Sequence, residues 1–115
     1  LAKLYSLVVT NNSELKILNE DTINKMTKER ITNRDLVLDV VTQWGAGFIM
    51  NMHKVIYGPV KESFGHSGWG GSCAFGDPKN NLGISYVMNQ MKNNFAADGR
   101  SLELINKTYE CLNKE

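Results

Sequence analysis

The side chains able to do chemistry are few and scattered. His53 and His66 are the two histidines of the chain, and Cys73 and Cys111 its two cysteines. The histidines fall in different segments with no third clear ligand at a useful spacing, so no metal centre is expected. The cysteines have neither CxxC nor metal-ligand spacing. The simplest reading is two buried free thiols in a reducing compartment, since free cysteine packs as a small hydrophobe. Ser13-Glu14-Leu15-Lys16 has the spacing of a serine nucleophile with a lysine base one helical turn on. That chemistry needs the serine at a helix N-terminus. Here the serine follows a helix, in a polar turn, and the match reads as chance.

The stretch Phe64-Gly-His-Ser-Gly-Trp-Gly-Gly-Ser-Cys-Ala-Phe-Gly-Asp77 is different. It holds five of the ten glycines in the chain, with His66 near its start. Glycine loses more backbone entropy on folding than any other residue, so a cluster marks tight geometry or close approach. A phosphate cradle is the first chemistry to test. No Gly-Lys-Ser/Thr follows, and a dinucleotide fingerprint begun at Gly68 puts Cys73 where the third glycine belongs. Begun at Gly45, it puts Met50 there. Neither glycine run leads into a helix, as both motifs require. The stretch is read as strand, with no cofactor implied.

The elements that must position it follow from periodicity. Leu1, Leu4, Tyr5 and Val8 share a helical face, which predicts a helix over about residues 1–10, ended by Asn11-Asn12. Asn19 is a plausible N-cap for a second, short helix, with Leu18 and Ile23 at hydrophobic-staple spacing. Residues 28–42 read as a loop of extended character. From Gln43 the period becomes two: Trp44, Ala46, Phe48, Met50 and Met52 on one face, Gly45, Gly47 and Ile49 on the other, which predicts one half-buried strand. Tyr57-Gly58-Pro59 marks a turn. Strands are expected at about 63–67, 71–76 and from Leu82, with residues 76–81 as a hairpin loop. After Asp98-Gly99, Leu102, Ile105, Tyr109 and Leu112 form the stripe of a last helix. Short loops favour antiparallel pairing. The fold class is therefore α+β: an antiparallel sheet of three to five strands with flanking N- and C-terminal helices.

Length and charge exclude some functions. At 115 residues the chain is one domain at most. A net charge of +1, with scattered Lys and Arg, gives no pull toward nucleic acid or an anionic membrane. No apolar run approaches the ~20 residues of a membrane span. The compartment is left unassigned.

The block Phe64-Gly-His-Ser-Gly-Trp-Gly-Gly-Ser72, then Gly76-Asp77-Pro78 and Leu82-Gly-Ile-Ser-Tyr-Val-Met-Asn89, resembles the C-terminal part of the serine beta-lactamase-like family. The likeness is to its class C-like branch, with penicillin-binding proteins and related esterases. There His-Thr-Gly or His-Ser-Gly often replaces Lys-Thr-Gly. The first helix, the Leu18–Met26 segment, Trp44-Gly-Ala-Gly-Phe48 and the last helix occur in the family's order, so the resemblance covers nearly the whole chain.

The resemblance implies that the strand lines one wall of an active-site cleft. His66 and Ser67 would meet the carboxylate or carbonyl side of a small-molecule or peptide substrate. Gly68 would leave room for the acyl group, and the Trp69 backbone N–H would be one of two oxyanion donors. His66 in place of lysine removes a permanent charge, which leaves ester, amide and peptide substrates open. The family's Ser-x-x-Lys and Tyr-x-Asn/Ser motifs lie upstream of the segment that Leu1 matches. The expectation is thus a C-terminal part of a longer hydrolase, inactive alone and prone to self-association through a strand edge its missing half would cover. The alternative is a non-catalytic binding or self-assembling scaffold of the same fold.

Overall fold

The computed structural model describes residues 1–94, 96 and 98–113. It contains three helices and one six-stranded antiparallel sheet whose strands lie in chain order. The α+β class and flanking helices are as expected, with one strand more than the expected range.

Helix α1 spans Ala2–Val9 and buries Val8 and Val9. It lies on the last two strands of the sheet because two glycines clear a path for it. Gly76 and Gly83 face each other in register, Gly83 beneath the Ala2 carbonyl and Ser6 amide, Gly76 beneath Val9 and Tyr5. A β-carbon at Gly83 would collide with the helix backbone, which has no rotamer by which to move aside. The residues 13–16 follow as a turn, so the Ser13–Lys16 pair has no helix to align it. Helix α2, Glu20–Thr27, is capped as its sequence predicts: the Asn19 side chain accepts from the Thr22 amide at 2.8 Å. Leu18 and Ile23 pack into the same apolar cluster, as a staple should.

Strands β1, Ile31–Arg34, and β2, Val41–Trp44, form a hairpin where a loop was expected. Its tip is held by Asp35, whose Oδ1 accepts from the Val37 and Leu38 amides, both at 2.9 Å. The apolar Leu36 and Val37 therefore sit at the turn and are 97% and 91% exposed. The single strand expected from Gln43 is broken in two. The Gly45 amide donates to the Phe48 carbonyl at 2.9 Å and Gly47 adopts φ +84°, so the chain reverses into β3, Ile49–Met50. The two-residue period placed Trp44, Phe48 and Met50 on one face. The reversal instead sends Trp44 to one core and Phe48 and Met50 to the other.

Strands β4, Phe64–Ser67, β5, Cys73–Asp77, and β6, Leu82–Tyr86, complete the sheet. Every residue of β5 is buried, because helices cover both its faces. On one face Phe64 packs with Tyr5, Phe48, Val8 and Val9; its ring meets Phe48 edge-on at 5.3 Å. On the other, Phe75, Cys73, Ile49 and Tyr57 pack against Ile105 and Tyr109 of helix α3, Gly99–Leu112. Full burial of a side chain such as Phe64, Phe75 or Ile105 contributes about 1.5–3 kcal/mol, so the core is centred under β4 and β5. Cys73 is buried there, and burial pushes its thiol above the ordinary value. Cys111, expected buried, is exposed on α3; it lies two residues past Tyr109, off the helix's buried stripe.

Candidate active-site wall

Strand alternation points the side chains of His66 and Ser67 to opposite faces of β4, and the β3 pairing stops at Gly65, so both residues border the same open stretch of strand edge. The exposed His66 ring sits 5.7 Å from the Trp44 ring, and its Nδ1 is 2.8 Å from the Ser67 carbonyl. A carbonyl can only accept, so in this geometry Nδ1 is the donor. The Ser67 hydroxyl is 3.2 Å from the hydroxyl of Tyr57.

Beyond Ser67 the chain turns. The Gly68 amide donates to the Ser72 carbonyl at 2.8 Å, and the Gly71 amide to the Gly68 carbonyl at 3.3 Å. Gly70, third of the four residues, has φ +95°, and Trp69 before it is not among the positive-φ residues. That pattern is a type II turn, which needs glycine at this position. In a trans peptide the carbonyl and the following N–H point opposite ways. Because the Gly68 carbonyl faces inward to Gly71, the Trp69 N–H faces out of the turn. Trp69 is 60% exposed.

The turn is braced from outside. The Gly70 amide donates to the Asn94 carbonyl at 2.7 Å, and the Lys92 amide to the Gly70 carbonyl at 3.2 Å. Arg100 ties this segment to α3: it donates to the Gln90 carbonyl at 2.9 Å and grips Asp98 through Nε and Nη2, at 2.9 and 2.7 Å. Asp98 is buried against Gly71. Its bonds from Arg100 hold its carboxyl down at about 2.

His66, Ser67 and Gly68 line one pocket of about 300 Å³, closed by Tyr5 and Leu1 of the first helix and by Tyr86. Among the described residues its lining contains no acidic side chain, no lysine and no arginine. Trp69 does not line it. A larger apolar cavity of about 560 Å³, bordered by Val41, Ile49, Met52 and Ile56, shares no residue with this site. The sequence reading missed Tyr57, which looked like turn punctuation beside Gly58-Pro59. Its one available signal was an aromatic hydroxyl held next to a glycine-proline turn.

The Beta-lactamase family model matches residues 1–107. The chain therefore belongs to the beta-lactamase family, the fold shared by penicillin-binding proteins and related serine hydrolases. Among solved structures it is similar to a penicillin-binding protein homologue from Caulobacter crescentus, with 41% identity and a TM-score of 0.82 over 94% of this chain and 29% of that one. It is also similar to a family VIII carboxylesterase, at 40% identity and a TM-score of 0.87 over 96% of this chain and 30% of that one. EstA from Arthrobacter nitroguajacolicus Rue61a is 24% identical with a TM-score of 0.79, covering 92% of this chain and 29% of that one, a likeness of fold alone. The chain thus spans less than a third of the length of these solved relatives. A search of curated proteins gave no match.

Proposed function

We propose that residues 1–115 form the C-terminal part of a beta-lactamase-like serine hydrolase and supply one wall of its acyl-transfer cleft. The nucleophilic serine and its lysine come from a Ser-x-x-Lys motif outside these residues, together with a Tyr-x-Asn/Ser motif. Coverage of 29–30% of the first two solved relatives supports this division. Ser67 and His66 contact the carbonyl side of the substrate, Gly68 admits the acyl group, and the Trp69 N–H donates to the oxyanion as charge develops there.

The turn Gly68–Gly71 carries this reading, since its internal bond aims the Trp69 N–H outward. On this wall the charge favours a neutral substrate group: a site built for a carboxylate draws on Arg or Lys, and among the described residues the pocket at Ser67 has neither. The test is reaction of the full-length protein with a fluorophosphonate probe and a p-nitrophenyl ester. An upstream serine should be labelled, and His66→Ala should slow the labelling. No labelling would leave the non-catalytic scaffold as the account of this chain.

The expected partners are a small ester, amide or peptide substrate, without nucleic acid. No helix among the described residues is long and apolar enough to cross a membrane. Residues 1–115 in isolation are proposed to self-associate, supported by β6 ending the sheet and by the exposed Leu36, Val37 and Val87.

A further inference from the structure

We propose that Tyr57 is a positioning residue of this site, which fixes the Ser67 hydroxyl so that its proton is presented to the substrate. The inference rests on the reading of Ser67 as a substrate contact. Tyr57 and Ser67 hydroxyls lie 3.2 Å apart, and either could donate. What separates them is their surroundings. Ser67 lines the pocket and Tyr57 does not. Tyr57 is fully buried, its ring stacked on Phe75 with centroids 5.3 Å apart and planes at 25°.

The backbone of Tyr57 is fixed as firmly as its ring. The buried Asn51 side chain accepts from the Tyr57 amide at 3.3 Å and donates to the Gly58 and Val60 carbonyls at 2.7 and 2.8 Å. The loop 57–60 is thus wrapped around one amide group. Burial pushes the Tyr57 phenol well above its ordinary value, so it stays a protonated donor across the working range of an esterase.

A serine hydroxyl on an open strand samples three rotamers and rotates its proton freely. With the Tyr57 O–H donating to Ser67 Oγ, that oxygen is held, and the serine proton turns toward the other acceptor in reach, the substrate oxygen in the pocket. Donation to Oγ also polarises the serine O–H, as successive hydrogen bonds do.

The test is pre-steady-state acylation of the full-length protein by p-nitrophenyl acetate, in a double-mutant cycle of Tyr57→Phe and Ser67→Ala. Tyr57→Phe keeps the ring and its stacking. It should slow acylation about fivefold, the size of one hydrogen bond, and should have no further effect once Ser67 is alanine. Ser67→Thr should restore most of the loss in the Tyr57→Phe protein, because a β-branched side chain holds its own rotamer. Equal slowing by Tyr57→Phe with and without Ser67, or no slowing, overturns the proposal and leaves the site reading standing. Unchanged acylation in Ser67→Ala overturns both.

Discussion

The hydroxyl of Tyr109 donates to Oδ2 of Asp77 at 2.7 Å, joining helix α3 to the end of β5 inside the core. Asp77 is fully buried and also accepts from the Lys79 and Asn80 amides and the Asn80 side chain, at 2.9, 3.2 and 2.6 Å. One carboxylate therefore shapes the β5–β6 turn and anchors the helix. Burial, with Asp77 beside it, raises the Tyr109 phenol above its ordinary value and keeps it a donor. Tyr109→Phe keeps the ring and removes one bond to a buried charge, so it should destabilise by about 1.5–3 kcal/mol in urea denaturation. An unchanged urea midpoint would mean that Asp77 finds another donor.

The same ring covers Gly58, where φ is +75° and a β-carbon would collide with Tyr109. Gly58→Ala combines a left-handed backbone with overpacking and should cost about 2–4 kcal/mol. Gly47 is the control: its φ is +84°, and a β-carbon there meets nothing within 4 Å. Gly47→Ala should cost only about 1 kcal/mol. Equal losses at the two sites would refute close packing of Tyr109 on the Tyr57–Gly58 turn.

How far the sequence revealed all this depended on whether burial left a period to read. The cap at Asn19, the opening of α3 at Asp98-Gly99, the stripe Ile105–Tyr109 and the β5–β6 hairpin were legible because a cap, a turn dipeptide or an apolar face marks each. Strand β1 was not, since all four of its residues are exposed and nothing alternates. The segment from Gln43 alternated perfectly and still misled. A Gly-Ala-Gly turn preserves a two-residue pattern while reversing the chain, and backbone bonds, which sequence does not display, made the reversal. At the site, the strands at about 63–67 and 71–76 were legible, but the glycine cluster between them was read as strand and not as the Gly68–Gly71 turn, which backbone bonds define. The Tyr57–Ser67 contact was hidden because the two residues are ten apart in sequence and meet only when Asn51 folds the loop that carries Tyr57.

Asp98 sets a pH dependence. Held at about 2 by Arg100, with Lys92 acting in the same direction, its carboxyl lies below the unfolded value of about 3.9. Its contribution to stability is complete above about pH 4 and is lost as the pH falls through about 2. Acid unfolding followed by circular dichroism should therefore be shallower between these values in Asp98→Asn, which starts from a lower stability. A variant that tracks the wild type through this window would show that Asp98 is not a coupled group.

Light scattering of residues 1–115 in isolation should give a mass above the monomer that rises with concentration. Making the exposed tip polar, as in Leu36→Ser with Val37→Ser, should lower it. A clean monomer at high concentration would count against an open edge and an exposed apolar surface as association sites.

The central claim, that the Trp69 backbone N–H serves the oxyanion, has a direct test in the turn that holds it. Trp69 is the second residue of a type II turn, the position proline prefers, and glycine precedes it, so Trp69→Pro removes the N–H with little distortion. Trp69→Ala removes the side chain and keeps the N–H. Acylation of the full-length protein by a p-nitrophenyl ester should be about 10²–10³ slower in Trp69→Pro than in Trp69→Ala, the size of one lost oxyanion donor. Equal rates in the two variants would contradict the account.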